Sequence, residues 1–433
     1  MSGFKDPSPH TSLSASAATA TLAAQGKALL SAGRFDKALD AFQQVIRFDP
    51  SHRAAHLSVA ALKSKLGDKP AAQAFLHEFY GRVPLGPAPP ANQPADPLVL
   101  QLRGFDKTAP VIGKRRSGGY KAKLRGGHFT TQYLLPNKAI AQRTMTLSGP
   151  APLRLENFPP YDVLLNTIAE PDIEEASLKK LHQFSKAYPE VTILNRPDKV
   201  WDTARDRNWH RLKHLNQIQF PRTERVSFVK PNPGNLATAI KTRKMDLPVI
   251  VRKTGTQTGR TTVLITTQAD LDRYAKRSLK GDYYIIAYRQ ILWQQEFFRK
   301  LRIFCIDGVF FPVVCHLDKV WNVHGGNRKE IMRTRDDLMA EEKRFLADWQ
   351  GYVGPANVTA LRHVAALTDL EFFGIDFTID EEGRIFIYEL NASMRHSFDH
   401  AQNFPYKLPY DRAITAAFTK MVLSRIPQVR ATP

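Results

Sequence analysis

Cysteine is scarce in this chain, with two in 433 residues, Cys305 and Cys315. That excludes a disulfide-rich scaffold, and no histidine or further cysteine stands beside either at zinc-ligand spacing. Both lie in apolar, strand-like runs and read as buried, reduced thiols. Long apolar runs are lacking as well. No stretch approaches the roughly 20 residues of a membrane-spanning helix, and Met1-Ser-Gly-Phe-Lys-Asp-Pro7 has no apolar core of the kind a secretory leader carries. The expected setting is the cytoplasm, with no membrane partner. Acid is in short supply, with 41 Asp+Glu against 62 Lys+Arg and a net charge of +21. Such a surface attracts anions without saying which. The aromatics that interleave with basic residues in a single-strand platform are missing, as is any recognisable nucleic-acid motif, so a nucleic-acid partner is not expected.

What is present divides the chain into segments, and 433 residues at about 100–200 per domain suggest two to four domains. Residues 1–15 are rich in Ser, Thr, Ala and Pro and are expected to be disordered. Over 16–84 an internal repeat appears: Gly33 recurs as Gly67, Ala38 as Ala72, Phe42 as Leu76 and Pro50 as Pro84, each 34 residues on. That is the period of the tetratricopeptide repeat, and Gly26 fits its pattern, although Lys63 stands where an apolar residue is usual. An α-helical repeat module is expected, docked on the rest of the chain or on a protein partner, because two repeats bury little core alone. Residues 85–97 are a Pro-rich, semi-rigid linker. Residues 98–150 read as a basic, Gly-rich connecting region with strand character at Val99–Arg103 and Thr130–Leu135. Its Lys114–Arg125 stretch holds six basic residues and no acid, which suits a solvated loop better than an anion contact. Over 151–222 a strand at Tyr161–Ile168, an amphipathic helix at 174–187 and a strand at Val191–Asn195 alternate as in a small α/β domain.

The segment Phe372-Phe-Gly-Ile-Asp376-Phe-Thr-Ile-Asp-Glu-Glu-Gly383-Arg-Ile-Phe-Ile-Tyr-Glu389-Leu-Asn391 reads as a β-hairpin. Side chains alternate along a strand, so Phe373, Ile375, Phe377 and Ile379 go one way and Asp376 the other, while Glu389 and Asn391 share a face. With Asp380 to Gly383 as the turn, Asp376 is expected beside Ile387 and diagonal to Glu389, about 7–8 Å away at the backbone. Hard oxygen ligands at such a spacing suit Mg²⁺. The same alternation also describes an amphipathic ribbon with its acids solvated. Upstream, Pro248-Val-Ile-Val-Arg252-Lys-Thr-Gly255-Thr-Gln-Thr-Gly259-Arg260 leads from a strand through a Gly/Thr-rich loop to a second strand. Glycines let backbone amides approach phosphate oxygens. A Walker A loop fits poorly, since the glycine spacing is short by one, Arg260 stands for Lys and a strand follows.

The run Gly-Ile-Asp-Phe, a turn, then Tyr-Glu-Leu-Asn resembles the metal-binding end of the ATP-grasp family of ATP-dependent carboxylate ligases, and the likeness spans roughly 151–405. It implies α+β ATP-grasp lobes over 223–425, preceded by the small α/β domain, an α/β fold class with the helical module appended. It also implies ATP and Mg²⁺ as cofactors, with Asp376, Glu389 and Asn391 as metal ligands and Gly255, Gly259 and Arg260 in a flexible loop over the phosphates. Arg252 and Arg207 stand where the family has phosphate-binding lysines; arginine keeps the charge and can clamp phosphate bidentately. Ile286, Ala287 and Tyr288 resemble the adenine-reading hinge, with Ala287 in place of its usual glutamate and Glu296 as the candidate for the ribose. Lys300 and Arg302, on one face of a strand before Asp307-Gly308, would be the catalytic cations that stabilise the transferring phosphoryl. His316, Trp321 and His324, with Arg395 and His396 just after Asn391, are expected to open on the substrate end of the same cleft. The implied activity is a ligase that activates a carboxylate as an acylphosphate for attack by an amine or another nucleophile, the substrates being amino-acid-like or peptide. A non-catalytic nucleotide-binding scaffold and a kinase on the same fold are the alternatives.

Overall fold

The computed structural model describes residues 9–90, 97–115, 117–136, 140–256, 261–323, 328–392 and 394–426. Four helices open it: α1 (Pro9–Ser31), α2 (Phe35–Phe48), α3 (Arg53–Lys65) and α4 (Lys69–Arg82). The disorder expected over 1–15 gives way to helix from Pro9. Gly33 and Gly67 take positive φ, 77° and 109°, in the turns from α1 to α2 and from α3 to α4, a conformation glycine adopts without Cβ strain. The 34-residue recurrence thus marks equivalent points of two helical hairpins. Ala38, Ala72, Phe42 and Leu76 are all fully buried.

Next come β1 (Leu98–Gly104), β2 (Ala109–Lys114), β3 (Tyr120–Arg125), β4 (Ala141–Leu147), β5 (Val163–Asn166), α5 (Glu175–Ala187) and β6 (Ile193–Leu194). Strands β4-β1-β5-β6 form one parallel sheet, and in β1 Val99, Leu100, Gln101 and Leu102 are buried in succession, as in a strand covered on both faces. The α/β unit therefore begins at 98 rather than 151, and the expected connecting region supplies two of its strands. Within that region 132–135 is a turn rather than a strand. The basic stretch Lys114–Arg125 is a loop only in part: its Tyr120–Arg125 portion is β3, which pairs antiparallel with β2. Ile112, Tyr120 and Ala122 pack on the helices' buried cluster around Phe42 and Val59, while Lys121, Lys123 and Arg125 face outward. The linker is pinned at its start, where Gly86 N–H donates to Thr144 O at 2.7 Å and Thr146 N–H to Pro84 O at 2.9 Å. Arg53 clamps the same junction through Val83 O (3.0 Å) and Thr146 Oγ1 (2.6 Å).

Helices α6 (Pro197–Trp201) and α7 (Arg205–Leu212) and strand β7 (Ile218–Gln219) lead to a second unit. It comprises β8 (Thr223–Phe228), α8 (Asn235–Thr242), β9 (Val249–Lys253), β10 (Val263–Ile265), α9 (Gln268–Ala275) and β11 (Gly281–Ala287), with antiparallel strand order β10-β9-β11-β8. The third unit holds β12 (Phe298–Ile306), β13 (Val309–Asp318), α10 (Arg328–Ile331), α11 (Asp336–Ala347), α12 (Trp349–Val353), α13 (Pro355–Thr368), β14 (Phe372–Ile379), β15 (Ile385–Asn391) and α14 (Leu408–Leu423). Its sheet order is β13-β12-β14-β15-β7. Phe373, Ile375 and Phe377 point into the core shared with Phe345, Leu361 and Val364, which leaves the other face of β14 for Asp376. Two buried asparagines fasten the parallel sheet to this hairpin. Asn195 donates to Phe372 O (2.8 Å) and Ala392 O (3.1 Å), and Asn166 donates to Asn195 O (2.9 Å).

Candidate active site

A cleft of about 1230 Å³ runs between the β8–β11 sheet and the five-stranded sheet, with residues 128–130 and 169–170 of the parallel-sheet unit and the start of α14 at its inner end. Its floor is a row of charges across adjacent strands. Arg302 on β12 pairs in register with Asp376 on β14, and Asp376 with Glu389 on β15. The expected diagonal is thus corrected. A bulge between Asp376 and Phe377 gives β15 one extra residue, so Asp376 faces Glu389 directly and Phe377 takes Ile387. Arg302 holds Asp376 bidentately, Nε to Oδ1 at 2.6 Å and Nη2 to Oδ2 at 2.8 Å. Lys300 Nζ lies 3.5 Å from Asp376 Oδ2 and donates to Val323 O at 2.6 Å. Arg205 closes the far end of the row, donating to Glu389 Oε1 at 2.5 Å and to Tyr388 O at 3.0 Å.

Burial opposes ionisation of Glu389, but Arg205 and Arg252, with a hydrogen bond from Asn391, outweigh it and hold its pKa at about 2. For Arg205 and Arg302 the order is the same. Burial works against their charge, and Glu389 and Asp376 respectively more than restore it. Glu170 behaves oppositely. Burial, then the neighbouring Asp172, raise its pKa to about 7 despite Arg252 and Arg205. The floor and wall therefore set four basic side chains, Arg205, Arg252, Lys300 and Arg302, against the carboxylates of Asp376 and Glu389, a surplus that attracts a polyanion.

The opposite wall carries Ile250, Arg252, Ile286, Ala287 and Tyr288. The N–H groups of Ala287 and Tyr288 are engaged within the chain, with Arg222 O (2.9 Å) and Pro248 O (3.1 Å). This hinge therefore offers an apolar slot, completed by Pro221 and Phe386, rather than those two donors. The walls are tied together behind the cleft. Arg225 of β8 bonds Asp206 (2.9 Å) and Asp172 (2.7 Å), and Tyr284 of β11 donates to Asp172 at 2.6 Å.

Several expected residues stand elsewhere. Arg207 lies outside the cleft lining: its guanidinium stacks on Trp201 at 4.2 Å from the ring centroid and donates to Trp201 O at 2.8 Å. Positions 205 and 207 of a helix point about 200° apart, so when Arg205 faces the cleft Arg207 cannot. Gly255, at φ 63°, lies against Ile173 rather than in the lining. Glu296 is half exposed, pairs with Lys319 at 3.3 Å and does not line the cleft. Gly259, Arg260 and His324 fall outside the described residues. His316, Trp321, Arg395 and His396 all line the cleft. Trp321 meets Tyr288 edge-on at 6.0 Å, Arg395 is mostly exposed and paired with Asp399, and burial lowers the His396 pKa to about 4, leaving it neutral. Arg205, Glu170, Lys407 and Asp411 line the cleft without having been singled out in the sequence. The i, i+4 spacing of the last two, just ahead of a helical run, was the available clue. The two cysteines are buried and unpaired, and burial raises the Cys305 pKa to about 12.

Whether Mg²⁺ fits can be judged from the donors. Asp376 and Glu389 face each other across two strands, and Asn391 follows on the face of Glu389 and hydrogen-bonds to it. Two carboxylates and an amide are an oxygen set of the kind Mg²⁺ accepts when phosphates and water complete the shell. Among the described residues no group of three His, Cys, Asp or Glu forms a self-sufficient metal site, and none of them builds a helix long and apolar enough to cross a membrane.

No protein-family model matches the chain, and no curated protein matches it. Among solved structures, the D-alanine–D-alanine ligase of Bacillus anthracis complexed with ATP is similar at 9% identity and TM-score 0.43, over 76% of this chain and 96% of the other. An N5-carboxyaminoimidazole synthetase from Staphylococcus aureus complexed with ADP gives 13% and 0.41, over 74% and 77%. An ATP-grasp RimK domain protein from Sphaerobacter thermophilus gives 12% and 0.36, over 65% and 90%. At TM-scores below 0.5 none of these likenesses bears on function.

Proposed function

We propose that the protein is an ATP- and Mg²⁺-dependent ligase that activates a carboxylate as an acylphosphate for attack by an amine or another nucleophile. The observation that carries the reading is the row Arg302–Asp376–Glu389–Arg205, with Lys300 beside it and Arg252 opposite. Mg²⁺ held by Asp376, Glu389 and Asn391 would neutralise phosphate charge. Arg252 and Arg205 take phosphate oxygens from two sides of the cleft, in place of the pairing first expected for Arg252 and Arg207. Lys300 and Arg302 are fixed by the sheet where charge develops during phosphoryl transfer, so little reorganisation is needed at the moment of reaction. Ile250, Ile286, Pro221 and Phe386 receive the base. In the reaction a carboxylate oxygen bonds to the γ-phosphorus as ADP leaves; the amine nitrogen then bonds to the acyl carbon, loses a proton and expels phosphate.

The same reading covers the rest of the chain. The four helices act as tetratricopeptide-like repeats that present a surface to a protein partner, and the buried, unpaired thiols suit the reducing cytoplasm. The test is ADP release from ATP and MgCl₂ with panels of acids and amines, followed by mass analysis of the product. Acid- and amine-dependent ADP and phosphate, with a condensed product one water lighter than its parts, supports the ligase. A stable phosphorylated acceptor would make it a kinase, and no ADP with any pair a nucleotide-binding scaffold.

A further inference from the structure

At its inner end, past Lys300 and Arg302, the cleft meets Lys407 and Asp411 at the start of α14. Each is 2% exposed. Burying a charge is costly unless a partner of opposite sign and hydrogen bonds compensate it, yet no ion pair within 4.0 Å joins these two or joins either to another described residue. Lys407 gives one of its three hydrogens to Val313 O, and Asp411 Oδ2 is buried with no hydrogen-bond partner among the described residues. The nearby Glu342 is already taken by Arg328 and by Tyr406, which donates to it at 2.6 Å.

Lys407 has helical backbone angles, so positions 407 and 411 are i, i+4 neighbours on one face with Cβ atoms about 5–6 Å apart. A small molecule carrying both charges can span that distance. His396 and Thr415, mutually bonded at 3.3 Å, flank the pair without adding charge. Phe129, Val313, Val314 and Met394 give the same end of the cleft an apolar lining. Burial lowers the Lys407 pKa, and Glu342 and then Asp411 oppose that; Arg328 and Arg302 stand close enough to press in the same direction as burial. The pair is therefore adjacent to the charged floor and continuous with it.

We propose that this inner end binds a free α-amino acid, the Lys407 ammonium receiving its carboxylate and the Asp411 carboxylate its ammonium group. The role of that amino acid as a reactant rests on the ligase reading; its binding does not. A singly charged acid or amine would leave one of the two buried charges unanswered, so the site discriminates against both.

The test titrates the full chain calorimetrically with each of the twenty standard L-amino acids, and with the N-acetyl and C-amide derivative of any that binds. At least one free amino acid is expected to bind, and each derivative at least about tenfold more weakly, the scale for a lost charge-assisted bond. This comparison uses the parent protein, so no variant's misfolding can mimic it. Lys407→Gln should then narrow the gap between acid and amide to less than about threefold, and Asp411→Asn the gap between amine and N-acetyl form. Binding of none of the twenty, or equal binding of the derivatives, overturns the proposal. Discriminating amino-acid binding without any Mg-ATP binding would overturn the ligase reading and leave this site standing; Mg-ATP turnover without amino-acid binding would do the reverse.

Discussion

The two ends of the cleft handle buried charge in opposite ways. At the outer floor every carboxylate is matched: Asp376 sits bidentate on Arg302 and Glu389 on Arg205. At the inner end Lys407 and Asp411 stand close enough to favour each other's charge, yet no direct bond joins them and Asp411 Oδ2 has no hydrogen-bond partner among the described residues. Matched pairs are stable in an empty cleft and can exchange a partner when a phosphate or a cation of higher charge arrives. Unmatched ones cost stability until a ligand answers them. On the proposed reading the first end receives a polyanion and its counter-ion and the second a small zwitterion.

The largest expected effect falls on the matched end. Asp376→Asn removes the charge that Arg302 and Lys300 use and that, on the proposed reading, holds the metal, and should lower the rate of ADP release about 10²–10³-fold, the scale for losing one preorganised electrostatic contact. Single-turnover kinetics would check it, and a loss of tenfold or less would place phosphoryl transfer elsewhere. Next in size, Arg205→Ala should raise the KM for ATP by about tenfold or more, while Arg207→Ala changes it less than about threefold, the difference between charge-assisted contact and none. Equal effects would mean that α7 presents its other face to the nucleotide.

That second contrast shows where the sequence was legible and where it was not. The hairpin at 372–391 could be read because a period of two separates Phe373, Ile375 and Phe377 from Asp376. Its register could not, since a bulge adds a residue without disturbing the alternation. Arg205 and Arg207 are both arginines near the helix start, and only the packed helix shows which of them meets Glu389. Strands β2 and β3 were hidden by lysines that lie on the outward face of a hairpin whose inner face covers the helices. Lys407 and Asp411 follow Asn391 within about 20 residues, but nothing in that stretch shows that α14 turns back to the cleft; it does so by packing against the segment carrying Phe129 and Tyr133, as in the bond from Thr415 to Tyr133 O at 2.6 Å.

Acid titration should divide Glu389 from Glu170. Glu389 has a folded pKa of about 2, below its ordinary 4.5, so its contribution to stability is present above about pH 4.5 and is lost as pH falls toward 2. Glu170, raised to about 7, does the reverse: its cost is absent below about pH 4.5 and develops as pH rises to 7. Denaturant midpoints should show Glu389→Gln losing ground to the parent at pH 7 and recovering it in acid, and Glu170→Gln gaining ground between pH 4.5 and 7. Parallel curves for both variants would refute these environments. The smallest effect is expected at Arg395, which is exposed and paired with Asp399. Arg395→Ala should change the KM for the acceptor by about two- to threefold, in line with the modest worth of an exposed ion pair, and leave that for ATP unchanged.

The central claim, that Asp376, Glu389 and Asn391 hold Mg²⁺ against ATP, is tested most directly by titrating ATP into the parent and into Glu389→Gln, each with MgCl₂ and with EDTA. The account predicts that Mg²⁺ tightens binding to the parent by at least about tenfold and that the variant binds ATP with and without Mg²⁺ nearly alike. A parent that binds no ATP, or a variant that keeps the full Mg²⁺ dependence, would contradict it.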